Sequence, residues 1–228
     1  MRRTTIRSSA RAITAAGIFF AGCAWGQTIT TNGLAATNDV TRTIDTQAEN
    51  PWSFSISAYT YVVPDSRDYV QPTITADRGW LHLEARYNYE APDTASAWIG
   101  YNFSVGDTVK FEFTPMLGGV FGDTTGIAPG YEATLSWWKI ELYTEGEYLF
   151  DTGSSSDNFF YTWSELSLAP TDWFRFGGVV QRTKLYDTSL DIQRGFLVGF
   201  SYKQVDLTTY VFNPGNDSTF VVAVSVNF

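Results

Sequence analysis

The sequence has few charges, a single cysteine and no long apolar run. Only 17% of its 228 residues are charged, against roughly 25% in an ordinary soluble domain. Cys23 is the only cysteine, which excludes an internal disulfide framework and a multi-thiolate metal site. The single apolar stretch, near the amino terminus, is about 15 residues long, whereas a transmembrane helix needs ~20. A helical membrane protein and a disulfide-rich secreted domain are therefore excluded.

Basic residues are also scarce. The chain has 15 Lys and Arg against 24 Asp and Glu, a formal charge of -9, and its four lysines are scattered. A surface that binds phosphates needs clustered Lys and Arg. Nucleic acid is therefore not expected as a partner.

Aromatic residues are abundant, although the mean hydropathy of the chain is close to neutral. They make up 17% of the chain, yet the mean hydropathy is only -0.13. A disordered chain has few aromatics. The combination indicates a β-rich protein in which apolar and polar residues alternate along each strand.

The first 26 residues have the form of an export signal. The basic segment Arg2–Arg11 precedes the apolar segment Ala12–Phe20, and small residues at Ala24 and Gly26 predict cleavage before Gln27. Residues 20–23 also loosely resemble a bacterial lipobox, with Phe where Leu is usual, which leaves lipidation of Cys23 open. Residues 27–50 are polar and show no period, so we predict a periplasmic linker there and a barrel domain over 51–228.

From residue 51 onward, period-2 alternation predicts twelve strands. They are Trp52–Val63, Val70–Ala76, Trp80–Tyr89, Ser96–Val105, Val109–Leu117, Tyr131–Trp137, Ile140–Phe150, Phe160–Leu168, Phe174–Tyr186, Ile192–Tyr202, Val205–Phe212 and Phe220–Phe228. Ten is the fallback number, because Pro72 weakens the second strand and the eighth alternates poorly around Glu165.

The connections between these strands alternate in length. Tight turns such as Gly106-Asp107 and Lys203-Gln204 alternate with longer polar loops such as 122–130 and 151–158. This arrangement is typical of an antiparallel up-and-down transmembrane β-barrel of the outer membrane. Both termini fall on the short-turn side, which in such barrels is the periplasm.

A periplasmic β-sandwich would also alternate, but the positions of the aromatics favour a barrel. Five tryptophans lie at strand ends on the short-turn side: Trp52, Trp80, Trp137, Trp138 and Trp173. A second group lies near the longer loops: Tyr59, Tyr61, Tyr87, Tyr89, Tyr148, Phe150, Phe160, Tyr161, Tyr186, Phe196, Tyr210 and Phe220. Two such belts suit the two interfaces of a bilayer, and by alternation not all of these rings face outward.

The last predicted strand resembles that of a known class of proteins. The alternating apolar residues that lead to Phe228 resemble the last strand of Gram-negative outer-membrane β-barrel proteins, of the small porin-like class. The resemblance covers the export signal and the pattern of 51–228, and it identifies no narrower family. It implies insertion into outer-membrane lipid and recognition of the Phe228 strand by the barrel-assembly machinery.

If the apolar face meets lipid, the polar face lines the lumen. The residues predicted to line it are His82, Glu84, Arg86, Asn102, Lys110, Glu112, Glu132, Glu141, Glu145, Glu147, Arg175 and Gln181. Acids outnumber bases, so the wall either concentrates cations or pairs its charges across a closed interior. Eight strands enclose only side chains and sixteen enclose a channel, so the barrel width leaves both possibilities open.

These observations predict a passive porin-like channel for small polar solutes with a cation bias. A closed structural or interaction barrel is the alternative, and a lipid-modifying enzyme centred on His82 is a weaker one. The sequence has no nucleophile motif, spaced pair of histidines or phosphate loop, so we expect no catalytic site, cofactor or metal. Acidic sugars fit poorly, since a lumen that binds them would need arginines.

Overall fold

The computed structural model describes residues 51–63, 67–153, 158–185, 191–215 and 218–228. The predicted signal peptide, the linker over 27–50 and Tyr186 lie outside these ranges. No helix among these residues is long and apolar enough to cross a membrane.

The described ranges consist almost entirely of strands. The thirteen strands are β1 (Ser53–Val62), β2 (Tyr69–Arg78), β3 (Leu81–Tyr87), β4 (Thr94–Tyr101), β5 (Phe103–Val105), β6 (Val109–Gly122), β7 (Gly126–Trp137), β8 (Ile140–Asp151), β9 (Phe159–Thr171), β10 (Phe174–Leu185), β11 (Asp191–Tyr202), β12 (Val205–Phe212) and β13 (Thr219–Asn227).

The strands form a closed antiparallel barrel. Each pairs with its neighbours in the chain, β1 pairs with β13, and both β4 and the short β5 pair with β6. Strands β4 and β5 run along one side of β6, so the thirteen segments make a twelve-strand barrel. Closure leaves no open edge, which a sheet in hydrocarbon cannot have because lipid offers no hydrogen bonds to free backbone groups. The predicted fold class and strand number are confirmed.

The predicted loop at 122–130 is wrong, because β6 and β7 extend into it and only residues 123–125 connect them. Glycines are weak strand formers, but Gly118 of β6 and Gly130 of β7 accommodate a ring on the inner face: a Cβ on Gly118 would lie 2.4 Å from Trp98 Cδ2, and one on Gly130 would lie 3.0 Å from Trp98 Cζ3. The Trp98 indole therefore occupies space that side chains at these two positions would have taken.

The outer surface is apolar, as the alternation predicted. Alternate residues such as Ile56, Ile74, Ile99 and Leu166 are exposed large hydrophobic side chains. The five tryptophans of the short-turn side are all exposed as well. Such a surface suits lipid contact, with amphipathic rings at one interface.

The second aromatic group is split between the two surfaces of the barrel. Rings such as Tyr87, Phe150, Phe196 and Phe220 face outward and are exposed. Others that we assigned to the same belt are buried inside: Tyr59, Tyr61, Tyr89, Tyr161 and Tyr210. This part of the prediction is wrong because near the longer loops both faces of several strands are apolar. On β9, for example, the side chain of Phe159 is buried and that of Phe160 is exposed.

Candidate functional site in the barrel interior

The loop-side half of the interior is filled by a group of rings that we name the aromatic plug. The Trp163 ring lies edge-on to Tyr210 and to Phe212, with both centroids 5.2 Å away, and Tyr89 meets Tyr161 at 6.3 Å. Every member is at most 3% exposed. The plug consists of Tyr59, Tyr61, Tyr89, Trp98, Tyr161, Trp163, Tyr210 and Phe212. In this conformation the loop-side lumen is therefore packed with side chains instead of being hydrated.

Below the plug, Arg86 is the centre of a buried charge cluster. Its Nε and Nη2 atoms donate to the two oxygens of Glu84 at 2.7 and 2.8 Å, and its Nη1 atom donates to Glu147 Oε2 at 3.1 Å. The guanidinium also lies over the rings of Tyr89 and Trp98, 4.0 and 4.4 Å from their centroids. A fork-shaped cation can satisfy two carboxylates and two rings together, so Arg86 connects the polar part of the lumen to the plug.

A second polar centre forms around Glu165 on β9. Its Oε1 accepts hydrogen bonds from Trp163 Nε1 at 2.8 Å and from the Tyr210 hydroxyl at 2.9 Å. Arg175 Nη1 lies 3.5 Å from Glu165 Oε2, and Arg175 Nη2 donates to the Thr208 hydroxyl at 2.7 Å. Glu165 was not among the residues predicted to line the lumen, because the strand alternates poorly around it. The inner face of β9 is largely aromatic, and this hides the inward position of the glutamate.

Glu90 is a further interior group that the sequence did not reveal. It lies in the connection 88–93 between β3 and β4, and it is fully buried. Burial raises the pKa of its carboxyl above the ordinary value, although the nearby Arg86 charge opposes the shift. A polar residue in a loop predicts exposure, so no pattern indicated that this connection folds inward.

The short-turn half of the interior is a cavity of about 930 Å³, which we name the vestibule. Residues of the turns, such as Asp107, Trp138 and Asp172, border it, so its mouth lies at that end. Its wall carries seven carboxylates against three permanent cations. The acids are Asp77, Asp107, Glu112, Glu132, Glu141, Asp172 and Asp206, and the cations are Lys110, Lys139 and Arg175.

All twelve residues predicted to line the lumen lie inside the barrel, at two depths. Seven of them surround the vestibule: His82, Asn102, Lys110, Glu112, Glu132, Glu141 and Arg175. The other five are buried deeper or beside the plug: Glu84, Arg86, Glu145, Glu147 and Gln181. Glu145 accepts hydrogen bonds from the hydroxyls of Tyr89 at 3.2 Å and Tyr143 at 2.8 Å. The alternation of polar residues along the strands gave no indication of the aromatic plug.

Asp77 borders the vestibule, although we predicted that it lies outside the strands. We expected it in the turn before the third strand, but β2 extends to Arg78 and Asp77 pairs directly with His82 of β3. The two-residue turn Gly79-Trp80 sets this register. Asp77 Oδ1 accepts hydrogen bonds from His82 Nδ1 at 2.8 Å and Asn102 Nδ2 at 2.7 Å.

Comparison with known proteins supports the barrel fold. No protein-family model matches the chain, and no curated protein matches it. Among solved structures, it is similar to KdgM porin, with a TM-score of 0.55 and 11% identity over 76% of this chain and 99% of that one. KdgM porin in complex with disordered oligogalacturonate gives the same values. Pseudomonas aeruginosa OpdQ has a TM-score of 0.42 and 10% identity over 74% of this chain and 59% of that one.

The architecture is therefore that of a porin-type barrel. The closed sheet and its apolar outer surface indicate an outer-membrane protein.

Proposed function

We propose that this protein is an outer-membrane channel for small polar solutes and that it favours cations and neutral molecules over anions. One observation carries the proposal: the interior holds far more acid than base from the vestibule to the plug. Among the described residues, the buried carboxylates are Glu84, Glu90, Glu145, Glu147 and Glu165, and the buried basic residues are His82 and Arg86.

The excess of acid favours a path for cations over a merely structural interior. Removing an ion from water costs several kcal/mol unless a partner compensates it, and the barrel interior has too few bases to pair every carboxylate. Hydroxyl and indole groups donate to some of them, such as Glu145 and Glu165, and cations and water admitted to a lumen would compensate the others. The acidic vestibule then concentrates cations at one end of this path.

The aromatic plug means that the described conformation is the closed one. Among the described residues, its rings fill the loop-side interior, and all of them except Tyr89 lie on strands. Conduction therefore requires some of these rings to rotate or shift. The proposal is a narrow channel with the plug as its gate.

The solute class follows from the charge of the wall. KdgM porin is described in complex with oligogalacturonate, a chain of carboxylate-bearing sugars. In this protein the vestibule has seven carboxylates and three permanent cations, which disfavours a polyanion. We therefore infer that small neutral or positively charged solutes pass.

The plug also favours a second candidate, a closed structural or interaction barrel whose loops contact a partner outside. The lipid-modifying enzyme has less support, because His82 lies inside the barrel and bonds to Asp77, away from the lipid-facing surface. The export signal, the periplasmic position of both termini and recognition of the Phe228 strand by the assembly machinery stay predictions.

Planar-bilayer recording of the purified protein separates the two candidates. The channel predicts discrete current steps and, in a salt gradient, a reversal potential of the sign expected for cation preference. A lack of steps across a wide voltage range in bilayers that contain correctly folded barrel would favour the closed barrel. Folding is checked by heat-dependent mobility in detergent gels.

A further inference from the structure

The inner end of the vestibule brings together three potential metal ligands from distant strands. His82 and Glu84 project from β3, and Glu132 projects from β7. One ligand atom from each lies within 4.8 Å of the others. Between these strands, β4 contributes Gly100, which pairs with His82. A Cβ on Gly100 would lie only 2.9 Å from Thr114 Cγ2, and Thr114 pairs with Glu132, so the strands that carry the three ligands are closely packed here.

His82 is oriented as a metal ligand would be. Its Nδ1 lies 2.8 Å from Asp77 Oδ1, and a carboxylate only accepts hydrogen bonds, so Nδ1 carries the proton. In the neutral ring this leaves the Nε2 lone pair free. A histidine that binds a metal usually donates its other nitrogen to a carboxylate in this way. Asn102 also donates to Asp77 at 2.7 Å and fixes that carboxylate in turn.

The His82 Nε2 atom is buried and has no hydrogen-bond partner. The side chain is 5% exposed, and the nearest acid oxygen, Oε2 of Glu84, lies 3.6 Å away. That separation is too long for an N–H···O hydrogen bond. It is close to the spacing of about 3.4 Å between two ligands of a tetrahedral ion with bonds near 2.0–2.1 Å. The separation of the two atoms therefore leaves room for an ion bonded to both.

The two carboxylates complete the ligand set. Glu84 is held in place by two hydrogen bonds from Arg86, and ligating carboxylates are commonly fixed in this way. Glu132 has a buried oxygen, Oε1, without a hydrogen-bond partner. The three ligand atoms lie within 4.8 Å of one another, so a shift of at most about 1.4 Å would bring them to the spacing of about 3.4 Å that one tetrahedral ion requires.

We propose that His82, Glu84 and Glu132 bind one divalent transition-metal ion of the Zn²⁺ class at the inner end of the vestibule. One imidazole nitrogen and two carboxylate oxygens form a three-ligand set of the kind that leaves a position for water or a solute. That open position faces the vestibule. Residue spacing does not reveal the site, because two ligands lie on alternate residues of β3 and the third comes from β7.

The test measures metal uptake directly. The protein, purified in detergent without a polyhistidine tag and stripped with a chelator, is dialysed against Zn²⁺, and bound metal is counted by mass spectrometry. We expect about one Zn²⁺ per barrel, lost in His82→Ala and in Glu132→Gln. Glu112→Gln, which removes a vestibule carboxylate outside the cluster, should bind like the original protein. Asp77→Ala should bind 10–100-fold more weakly, the usual effect of removing a group that orients a ligand.

X-ray absorption at the zinc edge gives a second readout that does not depend on the variants. Bound Zn²⁺ should show nitrogen and oxygen neighbours at about 2.0–2.2 Å. Equal Zn²⁺ uptake by the original protein, His82→Ala and Glu132→Gln would overturn the proposal and leave His82 as a partner of Asp77 alone. Each variant is checked for folding by its heat-dependent mobility, and Glu132→Gln decides the question if His82→Ala does not fold. Because no current is measured, the outcome is independent of the proposed channel.

Discussion

The indole of Trp98 lies against the backbone of Gly118, so closely that a Cβ on the glycine would stand 2.4 Å from Trp98 Cδ2. Gly118→Ala therefore forces the ring or the strand to move. We expect a loss of about 1–3 kcal/mol in the free energy of unfolding, as for other overpacked interiors. Urea unfolding followed by tryptophan fluorescence measures it.

Gly119 is the matched control for this substitution. It is the next residue on β6, and a Cβ there would meet nothing within 4 Å. Gly119→Ala should be neutral or slightly stabilising, because glycine in a strand interior costs roughly 0.5–1 kcal/mol relative to alanine. Equal losses at the two positions would show that Trp98 does not pack there.

The aromatic plug should control conduction. Phe212→Ala removes a fully buried ring that packs 5.2 Å from Trp163. We expect a larger single-channel current, together with a stability loss of about 3–5 kcal/mol for a buried phenylalanine. Phe220→Ala removes an outward ring that is 47% exposed, and it should leave the current unchanged. If Phe212→Ala conducts like the original protein, the plug is not the gate.

Cation preference should depend on carboxylates of the interior. Glu141 borders the vestibule, and Glu145 is buried beyond it. The double substitution Glu141→Gln and Glu145→Gln lowers the negative charge of the wall, so the reversal potential in a salt gradient should move toward zero. Asp123→Asn changes an exposed carboxylate of the β6–β7 connection and serves as the control. A selectivity that is the same in both variants would exclude the two glutamates from ion selection.

Buried and exposed ion pairs should differ sharply in their contribution to stability. Arg86→Met leaves Glu84 and Glu147 buried without their shared partner, and the loss should reach about 3–5 kcal/mol. Lys110→Met removes the partner of Glu112 from a pair with a 2.7 Å contact whose side chains are 41% and 42% exposed. Its loss should stay below about 1 kcal/mol. Urea unfolding of the two variants in one detergent gives the comparison, and equal losses would contradict the buried cluster.

Glu90 should make stability depend on pH. Because burial raises the pKa of its carboxyl in the folded protein, ionisation destabilises the fold as the pH rises above the unfolded value of about 4.3. Glu90→Gln should therefore stabilise the barrel at neutral pH, by roughly 1–3 kcal/mol, and the gain should shrink toward zero below pH 4. Heat-dependent mobility at several pH values measures it. A gain that is independent of pH would mean that the carboxyl does not titrate in this way.

Much of the barrel could be predicted from the sequence because one physical rule governs its outer surface. Lipid demands apolar side chains at every second residue of each strand, and residues such as Ile74 and Ile99 obey that rule. The interior obeys no such rule, since a lumen can hold water, ions or packed rings. The inward rings of Tyr61 and Tyr161 were therefore assigned to the lipid interface.

The residues of the polar site could be predicted from the sequence, but the contacts between them could not. Alternation puts His82 and Glu84 on the inner face of β3, but their neighbours depend on register and curvature. The pairing of His82 with Asp77 could have been found from a two-residue turn at Gly79-Trp80. The approach of Glu132 could not, because Glu132 lies on β7, far from β3 in the chain, and the curvature of the barrel sets their separation.

The plug has one more consequence for the vestibule behind it. Among the described residues, those that border this acidic chamber open it toward the short turns. While the rings are packed, the solution that bathes the short turns would set the charge of its wall and, at the proposed metal site, the occupancy of the cluster around His82. A barrel that spans the membrane would in this state sense just one side of it.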